Sequence, residues 1–323
     1  MRVLITGASG FLGRALVAAF RDGGHDTVAF SRHATSSGVP GEAVDGDVRD
    51  PAAVARALGG CDAVCHAAAL VSVWRPRREE FDEVNVGGLR QALDAARAAG
   101  IRRIVYTSSF LALPPNGSTT PGGWNDYQRT KVAAERLAED AAGAGAPLVR
   151  VYPGVIYGPG APTEGNLVGA MVSDHLRGRL PGLVGADRVW SYAWIDDVAR
   201  GHVAAMERGR PGATYRLGGE NAPQMRVFEI VRELTGRRLP RRLPAALAAV
   251  VGAAGELGAR RTGRPPLLTA GTVRILTRDW AMDSSAAVED LGYHITPLRE
   301  GIARVVAQLG GGPGGPRPPE HRA

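Results

Sequence analysis

The sequence predicts an α/β protein, a doubly wound parallel sheet with a smaller C-terminal substrate lobe, and three observations predict it. The apolar run Val3-Leu4-Ile5 leads without a break into a glycine-rich turn at 6–13 and then into a helical stripe. Short β-branched runs and helical stripes keep alternating as far as residue 151. The runs end in small or hydroxyl-bearing residues, as at Ala67, Ala68 and Ala69 and at Thr107-Ser108-Ser109, and in an open parallel sheet those ends face the ligand crevice.

In chain order, the first strand is followed by a helix with its apolar stripe at Phe11, Leu12, Ala15, Leu16, Ala19 and Phe20, stopped by Gly23-Gly24. The turn between them, Gly7-x-x-Gly10-x-x-Gly13, is a phosphate cradle: glycines let the backbone come close, and the helix start offers free N–H groups and the positive end of its dipole. A second strand at 27–30 ends at Ser31-Arg32-His33, where no carboxylate stands ready for a ribose 2′-hydroxyl. A third, around Ala43-Val44, delivers Asp47 to a strand end, while Asp50 caps a helix that begins at Pro51. The fourth strand, at 63–66, runs into small residues that leave room for a flat ligand, and His66 is read as structural. A long helix over 79–99 carries Asn85 and the pair Gly87-Gly88, which predicts close approach to another backbone. A fifth strand at 104–107, a Pro/Gly-rich loop, a helix from Tyr127 to about 142 and a sixth strand at 148–151 complete the alternation. Beyond Pro153 the pattern loosens. Residues 189–195, a helix at 196–207 and a strand at 214–217 read as returning to the sheet. The predicted division is therefore a dinucleotide domain at 1–155 plus 187–220, a substrate lobe at 156–186 plus 221–309, and a disordered tail from 310.

Composition narrows the partners. A chain of 323 residues, 44% hydrophobic and 22% charged, can bury a full core. The net charge of +7 is concentrated between Arg226 and Arg264, where nine arginines face three glutamates. Phe228 is the lone aromatic interleaved there, so no stacking platform for nucleic acid is expected, and a solvated basic face, an anionic substrate or a membrane surface remain. Two cysteines suit a reducing compartment, and a cytoplasmic protein is expected. Because residues 2–6 already read as a strand, no signal peptide is expected. The most apolar run, 243–254, is interrupted by Pro244 and Gly252 and is too short to span a bilayer.

Tyr127 and Lys131 stand out chemically. Of 39 cationic residues Lys131 is the one lysine, a compact ammonium where every other cation is a guanidinium. Four positions apart on a helix, the two side chains share a face. An ammonium beside a phenol favours the phenolate and is expected to pull its pKa down from about 10, toward the working range of a general acid or base.

Taken together, the 6–13 turn, Asp47-Val48-x-Asp50, His66-x-Ala68-Ala69, Asn85-Val86-x-Gly88, Thr107-Ser108-Ser109, Tyr127-x-x-x-Lys131 and the 152–160 stretch resemble the extended short-chain dehydrogenase/reductase family over nearly all of residues 1–309. Members similar to farnesol dehydrogenases and dihydroflavonol reductases match best at 106–110 and 153–156. The resemblance implies a Rossmann fold, Tyr127 as acid/base and Ser109 as holder of the substrate oxygen. It implies that Lys131 binds the nicotinamide ribose and that Asn85 anchors a relay water. Gly7, Gly10 and Gly13 would admit the pyrophosphate, Asp47 and Val48 would meet adenine, Pro153, Gly154 and Val155 would border the nicotinamide, and Ser9, Phe11, Leu12, Ala67, Ala68 and Ala69 would also bind the cofactor. Whether Ser108 or Ser109 faces substrate is left open by spacing, and alignment favours Ser109. Only 18 positions separate Ser109 from Tyr127, so the substrate-enclosing loop is trimmed.

The expected function is an NAD(P)-dependent oxidoreductase interconverting a ketone or aldehyde with an alcohol on a largely apolar small molecule. Arg32 favours NADP(H), with NAD(H) as the alternative. A sugar-nucleotide epimerase or dehydratase would use the same residues. It would usually continue past the serine as Val-Tyr-Gly, where this chain has Phe110-Leu111-Ala112-Leu113. The apolar pocket is expected from Val71, Val73, Trp74, Phe110, Leu111, Leu113 and the 243–257 segment. No metal site is picked out, and the partners expected are a small-molecule substrate and at most a second copy as a homodimer.

Overall fold

The structure is a computed structural model that describes residues 1–161 and 163–310. Its main sheet has seven parallel strands: β1 (Arg2–Thr6), β2 (Asp26–Ser31), β3 (Glu42–Asp45), β4 (Ala63–His66), β5 (Ile104–Thr107), β6 (Leu148–Pro153) and β10 (Thr214–Leu217), in the order β10-β6-β5-β4-β1-β2-β3. β1 lies inside the sheet between β4 and β2, and the connections leaving its two neighbours run to opposite sides, which opens a crevice beyond the strand ends. Its residues Val3, Leu4 and Ile5 are wholly buried, as a strand covered on both faces requires.

Helices cover both faces. α1 (Phe11–Asp22) and α7 (Ile195–Arg208) pack on one, with Leu16, Val17, Phe20, Val198 and Met206 in a common core. On the other face, α2 (Pro51–Leu58), α4 (Gly88–Ala98) and α5 (Asp126–Gly143) bury Val54, Leu89, Ala134 and Ala138. Asp50 caps α2 through the amide of Ala52, with Pro51 at the first position, as its sequence predicts.

The helix expected over 79–99 is three pieces in line: α3 (Glu79–Asp82), a π-helical turn at Glu83–Gly87, and α4. What approaches Gly88 is the Val48 side chain, since a Cβ there would lie 2.8 Å from its Cγ2. The predicted contact partner was a backbone; the structure supplies a side chain.

Residues 189–195 do not return to the main sheet. β9 (Val189–Trp194) lies between β7 (Val155–Tyr157) and β11 (Glu220–Pro223) in a second, three-stranded sheet. The lobe is completed by α6 (Leu167–Leu176), α8 (Gln224–Thr235), α9 (Ala245–Thr262), α10 (Ala270–Leu276) and α12 (Leu298–Gln308), and β8 (Leu183–Val184) pairs with β12 (Arg242–Leu243), whereas α11 (Ser285–Leu291), expected in the lobe, packs on α7 and β10 and buries Ala287 and Leu291 in the core of the main sheet. Its core gathers Trp190, Trp194, Phe228 and Trp280. The tail expected from Gly310 lies, from 311 onward, outside the described residues.

Candidate active site

A crevice of about 700 Å³ opens over the C-terminal ends of β1, β4, β5 and β6. At its floor Gly7 has a left-handed φ of +72°, and a Cβ there would lie 2.8 Å from Ala68 Cα. Thr6 fixes that approach: its hydroxyl accepts from the amides of Ala67 and Ala68, at 3.2 and 3.1 Å, and lies 3.0 Å from His66 Nδ1. With its lone pairs so used, Thr6 donates its proton to His66. Burial, aided by Lys131, holds the His66 pKa down at about 3, so the ring is a neutral brace. At Gly13 a Cβ would be 2.1 Å from the Gly7 carbonyl, so only glycine lets α1 sit this close to the turn. The start of α1 has no side-chain cap and no acid in its first turn. The amides of Phe11, Leu12 and Gly13 therefore lack intrahelical partners and are open to an anion.

At the far end of the crevice wall Arg32 follows β2 immediately and is exposed, without an ion-pair partner among the described residues. Asp47 is engaged by Arg49, whose guanidinium donates to both carboxylate oxygens at 3.0 and 2.7 Å. That contact holds Asp47 below the usual carboxylate range. An adenine amino group would share an acceptor already in use.

The reacting end is built by α5 against β5 and β6. Tyr127 and Lys131 project from one face of α5, whose start is capped by Asn125 through the amide of Gln128. Lys131 is buried, donates to the Thr107 carbonyl at 2.9 Å, and sits 5.2 Å above the centre of the Tyr106 ring. Burial pushes its pKa down to about 8. The phenol of Tyr127 is pushed up to about 12 by burial, opposed by the neighbouring Ser109 hydroxyl. The expected depression by Lys131 is thus overturned in the chain alone, because desolvation outweighs any help from the ammonium.

Ser108 and Ser109 part company. The Ser108 hydroxyl donates to buried Glu135 at 2.5 Å, and the same carboxylate accepts from Arg150 at 2.7 Å and Tyr152 at 2.6 Å. The Ser109 hydroxyl accepts from the amide of Leu111 and lies beside Tyr127. Thr107 is steadied from behind: His202 Nδ1 must donate to the Val198 carbonyl at 2.8 Å, so its Nε2 accepts from the Thr107 hydroxyl at 2.9 Å.

Every residue predicted to bind cofactor or act in chemistry lines this crevice except Asn85. Asn85 is buried behind the wall in the π-helical turn. It accepts from the Leu70 amide at 2.7 Å and donates to Thr130 at 2.9 Å, tying the strand extension after β4 to the Tyr127 helix. Those contacts make its side chain a brace for the wall. The substrate side also differs from expectation. Val71, Val73, Phe110 and Leu111 line it, whereas Trp74, Leu113 and the 243–257 segment do not. Trp190 from β9 and Thr272, Ile275 and Leu276 from α10 take their place. The one-sided spacing of 272, 275 and 276 was the signal available for α10.

Residues 3–218 match the model of the NAD dependent epimerase/dehydratase family. The chain is 32% identical to sterol demethylase protein B of Methylococcus capsulatus, across 95% of this chain and 98% of that protein. It is 30% identical to 2-alkyl-3-oxoalkanoate reductase of Stenotrophomonas maltophilia, across 95% and 99%. The crystal structure of gox2253 superimposes with a TM-score of 0.80 at 30% identity, covering 95% of this chain and 97% of that one.

Proposed function

The chain belongs to the NAD-dependent epimerase/dehydratase family and is an oxidoreductase of the short-chain dehydrogenase/reductase type, and from that premise we propose that it interconverts a ketone or aldehyde with an alcohol on a largely apolar small molecule. The observation that carries the substrate class is the wall contributed from Pro153 onward. Among its described residues the one charge is Glu164, and there is no cation. A nucleotide sugar would bury a diphosphate against Trp190, Ile275 and Leu276 without a guanidinium or ammonium from that side, a costly desolvation.

The residues present fit a nicotinamide dinucleotide. The glycine turn and the open first-turn amides of α1 would take the pyrophosphate, Ala67, Ala68 and Ala69 would flank it, and Pro153, Gly154 and Val155 would border the nicotinamide. When bound, that group supplies the two-electron redox chemistry. In the reductive direction Ser109 holds the carbonyl oxygen and Tyr127 passes its phenolic proton to it; in the oxidative direction the phenolate takes the proton back. Lys131, anchored on the Thr107 carbonyl, is placed to hold the ribose. Ser108 serves the framework, tied to Glu135, which supports Ser109 as the substrate-facing serine. Turnover of terpenoid, steroid, aromatic and polyketide-like carbonyls in a panel that also holds nucleotide sugars is the expected result. Turnover confined to nucleotide sugars would sink the assignment.

The preferred cofactor is read as NADP(H), from Arg32. Its guanidinium lines the crevice just after β2, without an ion-pair partner among the described residues, and would pair with a 2′-phosphate; charge-assisted pairs of this kind are worth about 10- to 100-fold in affinity. Arg32→Asp is expected to lower kcat/KM for NADPH by that factor and to raise the relative use of NADH. A wild-type preference for NADH, or an unchanged ratio in the variant, rejects the reading.

A further inference from the structure

Helix α9 is apolar around its circumference, yet one side alone is covered. Ala248, Gly252 and Ala259 turn inward, and a Cβ on Gly252 would lie 2.8 Å from the backbone of Thr269, just ahead of α10. Glu256 also turns in, accepting from the Ala270 amide at 2.8 Å. The opposite side presents Leu247, Val250, Val251 and Leu257, each more than half exposed, and Leu267 on the following loop is 87% exposed. A helix hydrophobic all round is ordinarily buried, and a contiguous exposed apolar face marks an interaction surface. Among the described residues nothing covers this one.

Charge selects what does. Exposed Arg241 and Arg242 precede α9, Arg260 and Arg261 close it, and Arg264 follows. Among the described residues, Arg242 alone of these has an acidic partner, Asp187. A second copy packed face to face about a two-fold axis would set one helix across the other and crowd both cationic ends together, since either pairing of ends brings guanidinium onto guanidinium. An anionic phospholipid surface satisfies both features, with head-group phosphates for the arginines and the acyl boundary for the apolar side chains. No helix among the described residues is long and apolar enough to cross a membrane, so α9 would lie on the surface.

We propose that the outer face of α9 docks the protein peripherally on anionic phospholipid membranes. α10, which covers the inner side of α9, lines the crevice with Thr272, Ile275 and Leu276, so docking sets the substrate wall one helix from the lipid. That last step rests on the apolar substrate proposed above; the docking itself does not.

The test is co-sedimentation of the full chain with vesicles of phosphatidylcholine alone and of phosphatidylcholine mixed with phosphatidylglycerol, with turnover of a water-soluble carbonyl measured in parallel. Binding to the mixed vesicles, weakening as salt rises, is expected. The pair Val250→Asp and Leu257→Asp should lower the partition coefficient by about tenfold or more, and Arg260→Glu with Arg261→Glu by a similar factor, with turnover unchanged. These positions are exposed, so the fold tolerates both pairs. No binding to either vesicle, equal binding by wild type and both variants, or a lipid-insensitive dimer that the same substitutions dissolve would overturn the proposal.

Discussion

Tyr127→Phe is expected to lower kcat by about 10²–10⁴-fold while leaving dinucleotide affinity within a few-fold. The substitution removes one transferable proton and little contact area, and the cradle at Gly7, Gly10 and Gly13 is untouched. The phenol's position at about 12 adds a directional signature. Reduction uses the protonated form, which is fully populated through neutral pH, so its rate should stay level between about pH 6 and 7, below the range where Lys131 gives up its proton. Oxidation uses the phenolate and should accelerate as pH rises over the same span. Steady-state rates in both directions across that range, with dinucleotide affinity measured by fluorescence titration, check it. Activity in the phenylalanine variant within a few-fold of wild type would remove Tyr127 from the chemistry.

Lys131→Arg should be nearly as damaging although it conserves charge, with kcat/KM falling by about 100-fold or more because dinucleotide and phenol both lose their nearest cation in the right place. The ammonium is buried at the crevice wall between the Thr107 carbonyl and the Tyr106 ring, and the larger guanidinium crowds that position at about 1–3 kcal/mol. A pH comparison separates this from simple crowding. The folded-state pKa of Lys131, about 8, lies below its ordinary value of 10.5. Burying the charged form therefore opposes folding below about pH 8, and the penalty is relieved as pH rises from there through 10.5. Arginine does not titrate in that window. The gap in Tm between wild type and variant should accordingly widen from pH 7.5 to pH 10. A constant gap together with near-normal turnover would return Lys131 to a structural side chain.

Much of the site was legible because its chemistry is local in sequence. Glycine spacing, a strand run before it and a helical stripe after it define the cradle, and the constraint on Gly13 comes from the Gly7 carbonyl a few residues away, whereas the Ala68 backbone that constrains Gly7 is distant in sequence and met only in the fold. The Tyr127 and Lys131 pair is marked by the chain's one lysine, and helical periodicity puts the two side chains on one face. What sequence could not reach depended on elements meeting across the fold. Adjacent serines at the end of β5 differ only in what stands opposite each, and Glu135 had to be placed by α5 before Ser108 could be assigned to it. Asn85 sits in a turn wider than an α-helical one, so its direction could not be taken from 3.6-residue spacing. The burial that raises the phenol comes from walls contributed by distant segments. The boundary at 221–309 placed both α9 and α10 in the lobe, but apolar character could not say that α10 faces the crevice while α9 faces out, because hydrophobicity reports the wish to be covered and not the partner that does the covering.

Glu135 joins three elements through one carboxylate: Ser108 after β5, Arg150 and Tyr152 on β6, and its own helix α5, two turns beyond Tyr127. Ser109, Pro153 and the Tyr127 helix are therefore locked to one another, and a change that shifts one drags the others. Trp190, Ile275 and Leu276 reach the crevice from elements outside that lock. The molecule is thus divided, for the purposes of inheritance, into a reaction half that can hardly drift and a substrate half that can be rewritten residue by residue, which makes the α10 and β9 positions the places where a new specificity would be acquired without losing the old chemistry.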